Sequence, residues 1–383
     1  MKRHLLLLIA ALSLSACKPA DQGMALQDDY LQRLSNALDV PAAEPFNPDN
    51  LSRYRLPERR ERLIEIPELR ISLLELLVDV RRCPQLQQLI SQRNSSLGKQ
   101  LTPSSRLSYE GDLLRATDAC MAYLRTQKQA DLHTTLLQVA ADKRKQLPGV
   151  FWNALNGSAE FERYLRFAPH SLPSNPPEDN AALDALEQLA RLGATLPDKL
   201  PPSAAQLDPL FFALHASEQG GQLINSLATL THTLNQGSQL LHSRQQQRPL
   251  CPTGQASERG RIAQNIFIKY YAGSLQPYLA AVDQRAQRWS NSLQTLAQVA
   301  TLTPSTQGYL RTLAGEEDSL WADFRAATAL HVRRWQALLN SCGLAPGQSG
   351  WTGQPANADQ CRPIRLGQPL LTGKQMSQVI GTG

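Results

Sequence analysis

Apolar residues recur at intervals of three and four along most of this chain. That period matches an α-helix, whose turn of about 3.6 residues gathers such positions on one face. Leu26, Tyr30, Leu34 and Leu38 make the first stripe and predict a helix over 24–39. Pro41, Pro45 and Pro48 follow and predict an extended connector. Pro67 opens a second stripe through Leu69, Leu73, Leu76, Leu77 and Val80, which Cys83-Pro84 interrupts before helix resumes over 86–93. Beyond the turn at Thr102-Pro103-Ser104-Ser105, Ser105 is placed to cap a helix carrying Leu107, Leu113, Leu114, Cys120, Met121 and Leu124. The pattern continues from Leu132 to Leu147, with aromatic anchors at Phe151, Trp152, Phe161 and Phe167. Residues 169–177 are rich in Pro and Ser and predict a surface loop or domain boundary. A short helix is predicted over 180–192 and a breaker cluster over 193–202.

The C-terminal half has the clearest period. Leu223, Leu227, Leu230, Leu234 and Leu241 form one stripe. Val282, Ala286, Trp289, Leu293, Leu296 and Ala300 form a second, which Pro277 should kink or split at its start. Leu310, Leu313, Glu317, Leu320, Phe324, Ala327 and His331 form a third, starting at Thr303-Pro304. Three heptad-like seams predict an all-α fold, a multi-helix bundle of long amphipathic antiparallel helices.

The first residues follow another rule. Lys2, Arg3 and His4 precede an apolar run from Leu5 to Leu14, the length of a secretory signal core and too short to span a bilayer. Leu14-Ser15-Ala16-Cys17 then matches the bacterial lipobox. The motif predicts cleavage after Ala16 and acylation of Cys17, with palmitate among the chains, and two or more chains anchor stably. Lys18 stands where an inner-membrane retention signal would carry Asp, which favours the outer membrane, facing the periplasm. The predicted divisions are a signal peptide over 1–16, an acylated N-terminus with helix and connector over 17–66, an N-terminal helical region over 67–200, a C-terminal bundle over 201–345 and a poorly ordered Gly/Pro-rich tail over 346–383.

Composition adds modest constraints. Hydrophobic residues make up 42% and charged ones 19%, so the mature part should fold. The net charge of +6 falls to +4 without Lys2 and Arg3, too small an excess to predict nucleic-acid binding. Export implies an oxidising compartment and therefore disulfides. Cys83 and Cys120 lie on the two arms of a predicted hairpin, so their pairing is reasonable. The second and third C-terminal stripes fold back near residue 302, which returns Cys342 beside Cys251 and favours that pair over Cys342 with Cys361. One of the five mature cysteines is left over.

Chemistry is sparse. G-x-S-x-G, H-E-x-x-H, Walker A and G-x-G-x-x-G are absent, and no cofactor or metal is predicted. Ser96-Leu97-Gly98-Lys99 is an S-x-x-K string without its S-D-N and K-T-G companions. Four places combine residue types that could build a site. Arg93, Asn94, Ser95 and Glu110, with Ser96 and Tyr109 near them, could line a polar pocket for an anionic or glycan ligand; a capped helix terminus is the commoner outcome. Arg53, Arg55, Arg59, Arg60 and Arg62 could meet anionic lipid head groups; Glu58, Glu61 and Glu65 offset part of that charge, which favours a solvated segment. Glu317 and His331 stand about 21 Å apart on one helix axis, too far to share a proton, and read as polar groups of the core or bundle edge. Phe267, Tyr270, Tyr271, Tyr278 and Trp289, with Trp321 and Trp335, could form a cleft for a peptide or sugar, but at helical spacing they read as core.

Four segments carry a family resemblance: Arg93-Asn94-Ser95-Ser96-Leu97-Gly98; Arg248-Pro249-Leu250-Cys251-Pro252; Tyr270-Tyr271 with Gln276-Pro277-Tyr278; and Trp335 with Cys342-Gly343. They resemble a family of proteobacterial lipoproteins, the domain of unknown function 3080, across most of the mature chain. The resemblance implies an exported lipoprotein. It supplies no catalytic residue, because the family has no established activity. The expectation is a non-enzymatic helical scaffold or adaptor, held to the membrane through Cys17 and meeting an envelope protein partner. The alternative is an enzyme or binding protein for a cell-wall or lipid component, acting through residues 93–110.

Overall fold

Thirteen α-helices and no strand form among the described residues of the computed structural model, which are 21–67, 79–96 and 98–353. The leader with Cys17, the stripe from Leu69 to Leu77, Leu97, Cys361 and all else beyond residue 353 lie outside them.

Helix α1 (Gln22–Leu38) begins where the Asp21 carboxylate accepts the Met24 N–H at 3.0 Å. It stops at Asp39, which adopts a left-handed φ of 56°. A 3-10 turn over Pro48–Tyr54 leads to the single turn α2 (Arg59–Arg62). Next come α3 (Pro84–Asn94), α4 (Pro103–Thr126) and α5 (Ala130–Asn156). Thr102, not Ser105, caps α4, accepting the Ser105 N–H. α4 and α5 run antiparallel: Arg125 meets His133 near the turn and Glu110 meets Lys143 farther along. Cys83 and Cys120 are bonded, which ties the start of α3 to α4.

Helices α6 (Ala159–Leu165), α7 (Ala181–Ala194) and α8 (Ala204–His215) lead to α9 (Gln219–Gln247). The segment between α6 and α7 is more than a surface loop. Ser171 and Leu172 are buried, the Leu172 N–H donates to Ser226 Oγ, and Tyr278 Oη donates to the Leu172 carbonyl. Its backbone polar groups find partners inside the bundle, which is the condition for burying a loop.

Pro277 does not split its helix; a π-helical stretch precedes it instead. α10 (Glu258–Ile266) passes into a π-helical stretch over Phe267–Leu275 and then α11 (Gln276–Ala297) without a break in the chain's path. Proline lacks an N–H and its ring crowds the carbonyl four residues back, and the wider π turn relieves both. The Gln276 N–H accordingly reaches the Tyr271 carbonyl. The third predicted stripe is two helices, α12 (Pro304–Ala314) and α13 (Leu320–Ser341). Ser319 caps α13 by accepting the Ala322 N–H, and Glu317 sits exposed in the turn between, off any apolar seam. The stripe reads as one helix because its apolar spacing carries on across the turn that Ser319 ends.

The fold-back near residue 302 is present. Phe267 packs on Trp335 and Tyr271 on His331, so the π stretch and α13 run antiparallel. α9 runs parallel to α13, with Ser238 beside His331 and Gln245 beside Ser341. Cys251 and Cys342 are bonded where these elements converge.

Buried apolar residues form two clusters. The larger draws on residues from Tyr30 to Ala345 and so takes α1 into the C-terminal bundle. The smaller gathers Val80, Leu86, Ile90, Leu114, Leu124, Leu136 and neighbours around the Cys83–Cys120 bond. α5 crosses from one to the other beside Pro148: Leu147 belongs to the small cluster and Val150 to the large.

Candidate functional site

The polar residues at 93–110 mostly bond locally. Arg93 Nη1 donates to the Gly98 carbonyl at 2.6 Å, and Asn94 Nδ2 to the Ile90 carbonyl at 2.8 Å. Ser95 Oγ donates to the Gln92 carbonyl and accepts the Gly98 N–H. Ser96 is exposed in the same turn. Asn94 and Ser95 thus satisfy late carbonyls of the helix, and Arg93 and Ser95 close the turn that follows it. Glu110 is buried and lies 2.9 Å from the Lys143 ammonium on α5. Tyr109 does stand near both Arg93 and Glu110. Burial raises its hydroxyl pKa, Glu110 raises it further and Arg93 opposes the rise.

His331 is in the core, as the alternation of α13 required, and is fully buried. Ser238 Oγ gives its single proton to the Leu234 carbonyl, so His331 Nδ1 carries the hydrogen shared with Ser238 Oγ. His331 Nε2 is then the acceptor for Tyr30 Oη, and Tyr30 Oη in turn accepts from Trp335 Nε1. Burial lowers the imidazole pKa to about 3, against a smaller raising effect from the Leu234 backbone. The ring is therefore neutral and sealed at ordinary pH. Phe267, Tyr271, Tyr278, Trp289 and Trp335 are buried around it or along α11, so these aromatics are core. Tyr270 is half-buried, packed against the core edge with the Arg33 guanidinium 4.2 Å over its ring.

The arginine run departs most from expectation. Asn153 on α5 holds the following backbone in both directions, accepting the Ile64 N–H at 2.8 Å and donating to the Ile64 carbonyl at 2.7 Å. Trp152 Nε1 donates to the Arg62 carbonyl. So anchored, Arg62 is 2% exposed, and its Nη1 donates to the Asn156 carbonyl at 2.7 Å. Arg59 Nε donates to the Gly157 carbonyl. Both cations thus sit at the C-terminus of α5, where unpaired carbonyls and the helix dipole favour positive charge. Arg62 Nη2 also pairs with Glu162 on α6 at 2.9 Å. A solvated segment does not describe Arg62. The sequence carries no local sign of this docking, because its partners lie some ninety residues on.

Above Arg62 opens a cleft of about 330 Å³. Its charged wall is Arg55, Arg59, Arg62 and Arg166 against Glu58 and Glu162. Its apolar wall is Leu56, Pro57, Leu165 and Phe167. Arg55, Arg59 and Arg166 are exposed, and among the described residues neither Arg55 nor Arg166 pairs with an acid. Guanidinium groups of this kind present planar donor forks to carboxylates and phosphates and do not exchange protons at neutral pH. The arrangement is suited to holding an anion.

Among the described residues no three His, Cys, Asp or Glu side chains are grouped to hold a metal ion, and no helix is long and apolar enough to cross a membrane. The family described as "Protein of unknown function (DUF3080)" matches residues 27–346. No curated protein and no solved structure matches the chain.

Proposed function

The chain belongs to the DUF3080 family, and from that premise we propose that it is a lipid-anchored envelope protein facing the periplasm, a helical adaptor that works by binding rather than by turnover. The anchor rests on Leu14-Ser15-Ala16-Cys17 behind its basic and apolar leader. Two disulfides support an oxidising compartment. The observation that carries the binding reading is the chemistry of the arginine cleft. Its polar wall is dominated by groups that recognise anions, while the strongly shifted histidine is spent inside the core on Tyr30 and Ser238.

Two measurements test this. Cells fed a radiolabelled palmitate should label the protein, and Cys17→Ser should abolish both the label and its recovery with outer membranes. Crosslinking in intact cells should then join the native protein to a discrete envelope protein. Unlabelled native protein sinks the anchor, and an absence of adducts sinks the adaptor.

A further inference from the structure

The arginine cleft is lined by two unlike kinds of side chain, charged and apolar, and a ligand that satisfies one kind alone leaves the other unused. The charged side has four guanidinium groups and two carboxylates, an excess of positive charge. Glu162 is already engaged by Arg62. Glu61, outside the cleft, accepts the Glu58 N–H and fixes the turn of α2. The guanidinium groups of Arg55 and Arg166 approach from different segments, one before α2 and one just after α6. Both line the one cleft, so it is built by two segments distant in sequence.

The floor is rigid. Arg62 is nine-tenths or more buried, donates through both terminal nitrogens, and keeps an Nε without an acceptor among the described residues. Burying a cation this deeply costs free energy that a single half-exposed carboxylate offsets only in part. A further anion over the floor would lower that cost. The apolar part of the lining, Leu56, Pro57, Leu165 and Phe167, offers contact area but few donors. A fully hydrated small anion gains nothing there. A molecule with an anionic head and a short apolar body meets both walls, and a volume of about 330 Å³ holds a head group with its adjoining linkage.

Resting on the binding reading above, we propose that this cleft takes a phosphate-bearing amphiphile. Its phosphate is held by Arg55, Arg59 and Arg166, and its apolar portion lies against Leu56, Pro57 and Phe167. Phosphate is favoured over carboxylate because three guanidinium groups, drawn from two segments, offer more donors than a planar group with two acceptor oxygens can use, whereas a tetrahedral phosphate has oxygens enough for all three.

The test uses the full acylated protein, purified in a non-ionic detergent and titrated calorimetrically with monomeric dibutyryl phosphatidic acid. Inorganic phosphate and dibutyryl phosphatidylcholine are the comparison arms. The doubly substituted Arg55→Gln/Arg166→Gln protein is the control, since both side chains are exposed and leave the fold intact. Phosphatidic acid should bind, the double substitution should weaken it about 30-fold, and inorganic phosphate should bind at least about tenfold more weakly. Phosphatidylcholine should bind more weakly than phosphatidic acid, because its choline brings a positive charge towards the arginines. Absence of phosphatidic acid binding, or binding that the double substitution leaves unchanged, overturns the proposal. Equal affinity for inorganic phosphate overturns the amphiphile and leaves a free-anion site. The crosslinking result for the adaptor is read separately, so either idea can fail alone.

Discussion

Tyr30 Oη lies 2.6 Å from His331 Nε2, joining residues 301 positions apart in the core of the bundle. The contact is one link of a directed chain: Trp335 donates to Tyr30, Tyr30 to His331, His331 to Ser238 and Ser238 to the Leu234 carbonyl. Three helices, α1, α9 and α13, are held in register by groups that would each be costly to bury alone.

A pH dependence follows. The His331 pKa is lowered to about 3 in the fold, mainly by burial, whereas an unfolded histidine titrates near 6.5. Below that value the unfolded chain binds a proton that the native core refuses, so stability is full above about pH 6.5 and is lost progressively as pH falls towards 3. Denaturant unfolding at pH 7 and pH 5 should show the loss, and His331→Gln should flatten that part of the profile. An unchanged profile would show that His331 is not the group refusing the proton.

Tyr30→Phe removes the donor to His331 Nε2 and the acceptor for Trp335 Nε1 together. The expected cost is about 1–3 kcal/mol, since two buried groups lose their best partner. Chemical denaturation measures it, and a change under about 0.5 kcal/mol would mean the chain of bonds contributes little.

Gly237→Ala places a Cβ 2.7 Å from His331 Cε1. The ring cannot swing aside because both nitrogens are held, so overpacking should cost about 1–3 kcal/mol. The same substitution at half-buried Gly308, where an added Cβ meets nothing within 4 Å, should be stabilising or neutral.

Glu162→Ala should cost about 2 kcal/mol because it leaves the buried Arg62 cation without its acid. Half-exposure of Glu162 keeps the figure below that of a fully buried pair. In an Arg62→Met background the same change should cost under about 0.5 kcal/mol. Additive losses would mean that the two side chains do not stabilise each other.

Replacing either cysteine pair by alanine should destabilise by about 4 kcal/mol through the freed unfolded chain. The Cys251–Cys342 loop spans 91 residues against 37 for Cys83–Cys120, so its loss should be the greater by under about 1 kcal/mol. Unfolding of the two double substitutions against the native protein measures both.

The sequence by itself determined what depends on near neighbours. Period placed most of the helices and a fold-back near residue 302 put Cys251 beside Cys342, while Pro277 suggested a kink or split where the chain forms a π stretch. At Ser319 the apolar spacing runs on while the structure begins a new helix. Only the tertiary structure decided how distant polar groups are paired. Nothing near Tyr30 specifies His331, and nothing near Arg62 specifies Asn156 or Glu162. Apolar burial is non-directional and can be read from spacing. A hydrogen bond or ion pair requires one donor and one acceptor at one distance, and only the assembled packing of helices sets that distance.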